Sequence, residues 1–204
     1  MPRSPLIVIG GSAGGVQALQ VLLPNFPAEL PAAVAIVLHR LASEDSERLP
    51  HLLSRHMHLD IGNARNGETV RAGKVFLALP DLHLEIVEDT FRLTAGPREH
   101  NSRPSIDVLF RTAAAGHGRK VVGIVLSGAL DDGTAGLAAI KSAGGYAIVQ
   151  EPSEAMYPSM PRHAIANVGV DVVCPVGEIA RHVVHVLDTM MTPLGTRPED
   201  DDGP

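Results

Sequence analysis

Leu6-Ile7-Val8-Ile9-Gly10-Gly11-Ser12-Ala13-Gly14-Gly15-Val16 is the stretch whose reading decides the fold. Leu6 to Gly10 is continuous in apolar, β-branched side chains rather than alternating, the pattern of a strand covered on both faces. Small residues follow at once. Beyond Gly14-Gly15, Val16, Leu19, Leu22 and Leu23 fall at helical spacing until Pro24 closes the segment. A buried strand turning through glycines into a helix is the opening unit of a parallel α/β sheet.

Working outward, the same kind of run recurs at Ala33–Leu38, Val75–Leu79, Val121–Leu126, Ala147–Gln150 and Val170–Cys174. Helical patterns lie between them. Leu49, Leu52, Leu53 and His56 form a stripe inside Ser46–Met57. Leu137 and Ile140 precede the terminator Gly144-Gly145. Ile179, Val183, Val186, Leu187 and Met190 line one side of a helix from Gly177 to Met191. One stretch breaks the rhythm: His83–Val87 and Phe91–Thr94 flank Asp89-Thr90 as a hairpin. A Gly96-Pro97 turn, a polar loop Arg98–Arg103 and a helix over Ser105–Ala114 follow it. The expectation is an α/β fold with a doubly wound, mostly parallel sheet flanked by helices and an appended β-hairpin. Residues 1–194 read as a single domain, and 195–204 as a flexible acidic tail.

Composition sets the bounds. The 204 residues are 45% apolar and 20% charged, which excludes wholesale disorder. Seventeen basic against twenty-three acidic residues give a net charge of −6, the wrong balance for a fold-wide nucleic-acid footprint. A single cysteine, Cys174, excludes a disulfide scaffold and a multi-cysteine zinc site, and in an apolar strand it reads as a buried, inert thiol. The residues before Leu6 and the run itself are too short for a signal sequence or a membrane span, so a cytoplasmic protein without membrane insertion is expected.

Gly10-x-Ser12-x-Gly14 matches the pattern that holds a nucleophilic serine on a sharp strand-to-helix turn, where the helix N-terminus offers N–H groups to an oxyanion. Glycine-rich turns after a first strand also bind phosphate, and some only allow close packing; the turn alone leaves all three readings open. The dinucleotide spacing is not met, because Ser12 takes the second glycine position, and no Gly-Lys-Ser/Thr ending is present. His39 closes the second strand, so it and Ser12 share the carboxyl edge where open α/β sheets bind ligands. Asp131-Asp132 precede Gly133 at the start of a later helix; one acid suffices as a cap, and the second is free to orient a histidine. Nucleophile, base and orienter then run Ser, His, Asp along the chain, unlike the Ser, Asp, His order of α/β-hydrolases. His51, His56 and His58, and His182 with His185, lack partners at metal-ligand spacing, so neither a metal nor a cofactor is expected. Arg98–Arg103 and Arg162 are candidates for contact with an anionic partner, though each also reads as a solvated surface.

Taken together, these stations resemble the catalytic domain of CheB-type protein-glutamate methylesterases. The likeness extends to Gly73-Lys74-Val75-Phe76, Ala78-Leu79-Pro80-Asp81-x-His83, Arg103-Pro104-Ser105-Ile106-Asp107-Val108-Leu109-Phe110 and Pro158-Ser159-Met160-Pro161-Arg162, and covers roughly residues 6 to 190. It implies hydrolysis of glutamate γ-methyl esters on the cytoplasmic helices of chemoreceptors, and deamidation of selected glutamines. Ser12 would be the nucleophile, His39 the general base and then acid, and Asp132 the orienter. The Ala13 N–H would be an oxyanion donor, and Arg103 and Arg162 substrate contacts. A catalytically idle receptor-binding module of the same fold is the alternative. Two departures stand out: Ala13 where the family commonly has threonine, and Gly128-Ala129-Leu130-Asp131-Asp132-Gly133 where it has Gly-Met-Gly-x-Asp-Gly. No receiver domain is read before the catalytic one, so the expectation is a protein that is constitutive, regulated by a separate partner, or working on another substrate.

Overall fold

The computed structural model describes residues 4–55 and 57–191. His56 and the acidic tail expected over 195–204 lie outside them. Seven strands form one parallel sheet: β1 (Leu6–Gly11), β2 (Ala33–Leu38), β3 (Asp60–Asn63), β4 (Lys74–Leu77), β7 (Val121–Val125), β8 (Tyr146–Gln150) and β9 (Val172–Cys174). Their order is β3-β4-β2-β1-β7-β8-β9, every pairing parallel. A two-stranded antiparallel hairpin, β5 (His83–Val87) and β6 (Thr90–Thr94), stands apart from it.

The continuous apolar runs are buried because both faces of the sheet are covered. Ile7, Ile9, Val34 and Ile36 point to one face, where they meet α1 (Gly15–Leu22), α2 (Arg48–Ser54) and α6 (Val176–Met191). Leu6, Val8, Ala35 and Val37 point to the other, against α3 (Ile106–His117), α4 (Thr134–Ser142), α5 (Ser159–Asn167) and the hairpin residues Leu84, Ile86 and Phe91. Alternation along each strand therefore divides one apolar run between two cores.

The expected fold class holds, with shifted boundaries. The helix expected over Ser46–Met57 is shorter, and the one expected over Ser105–Ala114 extends to His117. Strand β3 went unread from the sequence. Its residues Asp60-Ile61-Gly62-Asn63 sit at the sheet edge, half-buried or exposed, so they carry no apolar run.

The topology sets the site. From β1 the chain steps to β2 on one side and later returns to β7 on the other. The sheet changes winding direction at β1, and such a switch point opens a crevice beyond the carboxyl ends of the strands.

Candidate active site

Ser12 leaves β1 at that crevice. Its N–H donates to the Ser127 carbonyl (3.0 Å), its carbonyl accepts from the Gly15 N–H (2.8 Å), and Ser127 Oγ donates to the Ala13 carbonyl (2.8 Å). Three bonds thus pin the turn. In the peptide joining Ser12 to Ala13 the carbonyl points to Gly15, so the planar trans amide turns the Ala13 N–H the opposite way. Gly14 has φ 78°, and a Cβ there would stand 2.4 Å from Ser127 Oγ. Both conformation and space demand glycine at this position.

His39 follows β2. Gly11 pairs with Leu38 across the two strands, and the His39 N–H donates to the Gly11 carbonyl (3.1 Å), so Ser12 and His39 occupy neighbouring positions on the edge. The hydroxyl and the imidazole share no hydrogen bond in this structure. Imidazole Nε2 instead donates to Asp132 Oδ2 at 2.7 Å. That bond leaves Nδ1 as the basic nitrogen.

Asp132 is 2% exposed, and its surroundings account for all of its acceptor capacity. Oδ2 accepts from His39 Nε2 and from the Ile106 N–H (2.8 Å); Oδ1 accepts from Ser105 Oγ (2.8 Å) and from the Asp107 N–H (3.0 Å). A carboxylate offers about four lone-pair sites, and here four donors fill them. Burial alone would push this carboxyl up. The hydrogen bonds from His39 and from the Ile106 and Asp107 amides outweigh burial and hold it below the ordinary carboxylate value.

Asp132 is therefore a cap, but not of its own helix. It satisfies the first amides of α3, and α3 answers through Asp107, whose Oδ1 accepts from the Gly133 N–H (3.0 Å) and the Gly136 N–H (2.5 Å) at the start of α4. Each helix start is closed by a carboxylate from the other. Asp107 is fully buried, and burial pushes its carboxyl above the ordinary value; the neighbouring Asp132 charge acts in the same direction, against the Gly136 amide and His100. Two carboxyls in adjoining positions are thus shifted apart.

Asp107 was missed as a site residue in the sequence, where an acid in the first turn of a helix reads as ordinary dipole compensation. Its Arg-Pro-Ser-Ile-Asp setting, three residues before Phe110, was the available signal. His100 Nε2 lies 3.1 Å from Asp107 Oδ2, and its Nδ1 lies 3.3 Å from Asp131 Oδ1. Asp131 is about half exposed and bonds neither His39 nor the amides of α3. Among the described residues, His100, Asp107 and Asp132 are the group that brings three metal-type ligand atoms within 4.8 Å. The oxygens of Asp132 already serve four donors, so a cation there would have to displace His39 or a helix cap.

The two arginines expected at the substrate differ. Arg103 donates from Nε and Nη2 to Asp81 Oδ1 (3.1 and 2.9 Å) and from Nη1 to the carbonyls of Ala95 and Gly96 (3.1 and 2.8 Å). Its fork ties the hairpin exit to the polar loop and is committed within the protein. Arg162, on α5, is exposed and lines a pocket of about 400 Å³ with Ala129, Tyr157 and Pro158. Cys174 is buried as expected, and burial pushes its thiol up to about 11, which keeps it protonated and unreactive at neutral pH. No helix among the described residues is long and apolar enough to cross a membrane.

A serine, a histidine and a buried carboxylate at the switch point of a doubly wound sheet are the side-chain types of a serine hydrolase. The chain belongs to the CheB methylesterase family, whose model matches residues 7–183. A Leptospira interrogans relative is 42% identical over 175 residues, covering 85% of this chain and 90% of that protein. A Methanosarcina mazei relative, named protein-glutamate methylesterase/protein-glutamine glutaminase 2, is 37% identical over 190 residues; the match takes in 89% of this chain and 52% of that protein. Among solved structures, the crystal structure of the Thermotoga maritima CheB methylesterase catalytic domain superposes with a TM-score of 0.85 at 28% identity, covering 92% of this chain and 99% of that one.

Proposed function

We propose that this chain hydrolyses glutamate γ-methyl esters on chemoreceptor proteins in the cytoplasm, with Ser12, His39 and Asp132 as its catalytic set in one catalytic domain. The observation that carries the reading is the 2.7 Å bond from His39 to a buried, saturated Asp132, at the edge where Ser12 leaves the neighbouring strand. His39 Nδ1 takes the Ser12 proton as Oγ attacks the ester carbonyl. The oxyanion accepts from the Ala13 N–H. Collapse of the tetrahedral intermediate breaks the carbonyl–methoxy bond, and the imidazolium returns the proton so that methanol leaves. Water deprotonated by His39 then attacks the glutamyl–Ser12 ester, releasing the glutamate carboxyl and restoring the serine. Asp132 stays ionised throughout and stabilises the imidazolium, consistent with its depressed carboxyl. With a glutamine side chain the same steps release ammonia. Exposed Arg162 is suited to an acidic group of the substrate.

The test is methanol release from a methylated chemoreceptor cytoplasmic fragment by wild type and by Ser12→Ala. Loss of several orders of magnitude is expected, since removing one member of such a set leaves only about 10³–10⁴-fold acceleration over water. Equal release by the two proteins would remove Ser12 from the chemistry. Binding without release in both would favour a binding module instead.

A further inference from the structure

Leu130 has φ 65°, the left-handed region that a residue with a Cβ adopts only at a cost and that glycine adopts freely. Its side chain recovers little of that cost by burial, because the residue is 64% exposed. A leucine both strained and wet is unfavourable for the isolated fold, and such positions cluster where ligands are held. Its location is specific. It lies two residues after Gly128, at which a Cβ would stand 3.1 Å from the Ser12 Cβ, and two before Asp132, which holds His39. Two residues of chain span at most about 7 Å, so Leu130 stands at the rim between nucleophile and orienter.

Leu130 is not alone there. Met156 is 60% exposed, and its Cβ is 2.9 Å from the position a Cβ on Gly14 would take. Tyr157 is also exposed, and its carbonyl accepts from the Gly128 N–H (3.0 Å). Exposed apolar side chains gathered around a hydrolytic turn mark a surface for an apolar partner. A methyl ester is too small to cover it. The residues one turn either side of an ester-bearing glutamate on a helix are in reach, since positions three and four apart share a face.

We infer that Leu130, with Met156 and Tyr157, forms an apolar collar that receives the apolar side chains flanking the methylated glutamate of a helical protein substrate. Leu130 is thereby the residue that sets preference for protein esters over small ones. The inference rests on the methylesterase reading above.

The experiment compares kcat/KM on the methylated chemoreceptor fragment with kcat/KM on p-nitrophenyl acetate, for wild type, Leu130→Gly, Leu130→Asn and Leu130→Met. The protein-to-small-ester ratio should fall about tenfold or more in the glycine and asparagine variants, carried mainly by KM for the protein. Methionine should keep the wild-type ratio. Leu130→Gly should melt no lower than wild type, because the strain is relieved, so a lost ratio cannot be laid to a damaged fold. A ratio unmoved in Leu130→Gly, or lost equally in Leu130→Met, overturns the collar while leaving the esterase reading intact. Wild type that cleaves p-nitrophenyl acetate in a Ser12-dependent way but not the methylated fragment overturns the collar together with the receptor substrate.

Discussion

The turn from β1 into α1 and the loop from β7 into α4 are built alike and used in opposite ways. Each leaves a fully buried strand and enters its helix through a left-handed glycine, Gly14 at φ 78° and Gly133 at φ 99°. Neither helix is capped by a side chain of its own cap residue. At α4 the amides of Gly133 and Gly136 are taken by Asp107, and the loop's own acid, Asp132, is turned inward to close α3 and hold His39. At α1 no carboxylate among the described residues arrives, and Ser12 and the Ala13 N–H are left at the crevice. One helix start is satisfied by the fold; the other, on the mechanism proposed above, receives the charge that develops on a substrate.

That contrast can be broken first at Asp132. Asn has one acceptor oxygen where the carboxylate has two, so Asp132→Asn cannot serve Ile106, Ser105, Asp107 and His39 together. Methanol release should drop about 10³–10⁴-fold, the scale seen when a histidine loses its orienting carboxylate. Asp131→Asn should stay within a few fold, because that side chain is solvated and touches only His100 in this network. Equal effects, or the reverse order, would mean that the buried acid is a cap and nothing more.

Next in size is Asp107→Ala. It strands the Gly133 and Gly136 amides in a buried site, for a loss of about 2–4 kcal/mol in unfolding free energy. Chemical denaturation measures it, and a change below about 0.5 kcal/mol would show that the two helix starts do not depend on each other. The smallest effect is electrostatic. Because Asp132 is held below the ordinary carboxylate value in the folded state, its contribution is present above the unfolded value and is lost as pH falls through the folded one. The stability gap between wild type and Asp132→Asn should therefore be widest above about pH 4 and narrow in stronger acid. A gap that widens in acid would reverse the sign assigned to this carboxyl.

The reading of Ser12, His39 and Asp132 from sequence relied on each ending or following a buried strand, and the register Gly11–Leu38 puts the first two side by side as that reading required. Arg103 was legible as a cation but not as a clasp, since Asp81 and the carbonyls of Ala95 and Gly96 reach it only once the hairpin folds back. Strand β3 was illegible because an edge strand needs no apolar run. Leu130 was legible as a departure, standing where the family pattern has glycine, but its left-handed backbone and its exposure were seen only in the fold.

What the order of residues determines by itself is the alternation of buried runs and helical stripes, hence the doubly wound sheet, and the types of side chain delivered to its carboxyl edge. These are local matters of period and size. Only the tertiary structure decides that two aspartates, twenty-five residues apart, exchange helix starts; that the acid next to Gly133 meets His39 was implied by the family resemblance, while the side-chain types alone left it open between Asp131 and Asp132. Burial and hydrogen-bond satisfaction are properties of the assembled interior, and no stretch of sequence can settle them until its distant partners arrive.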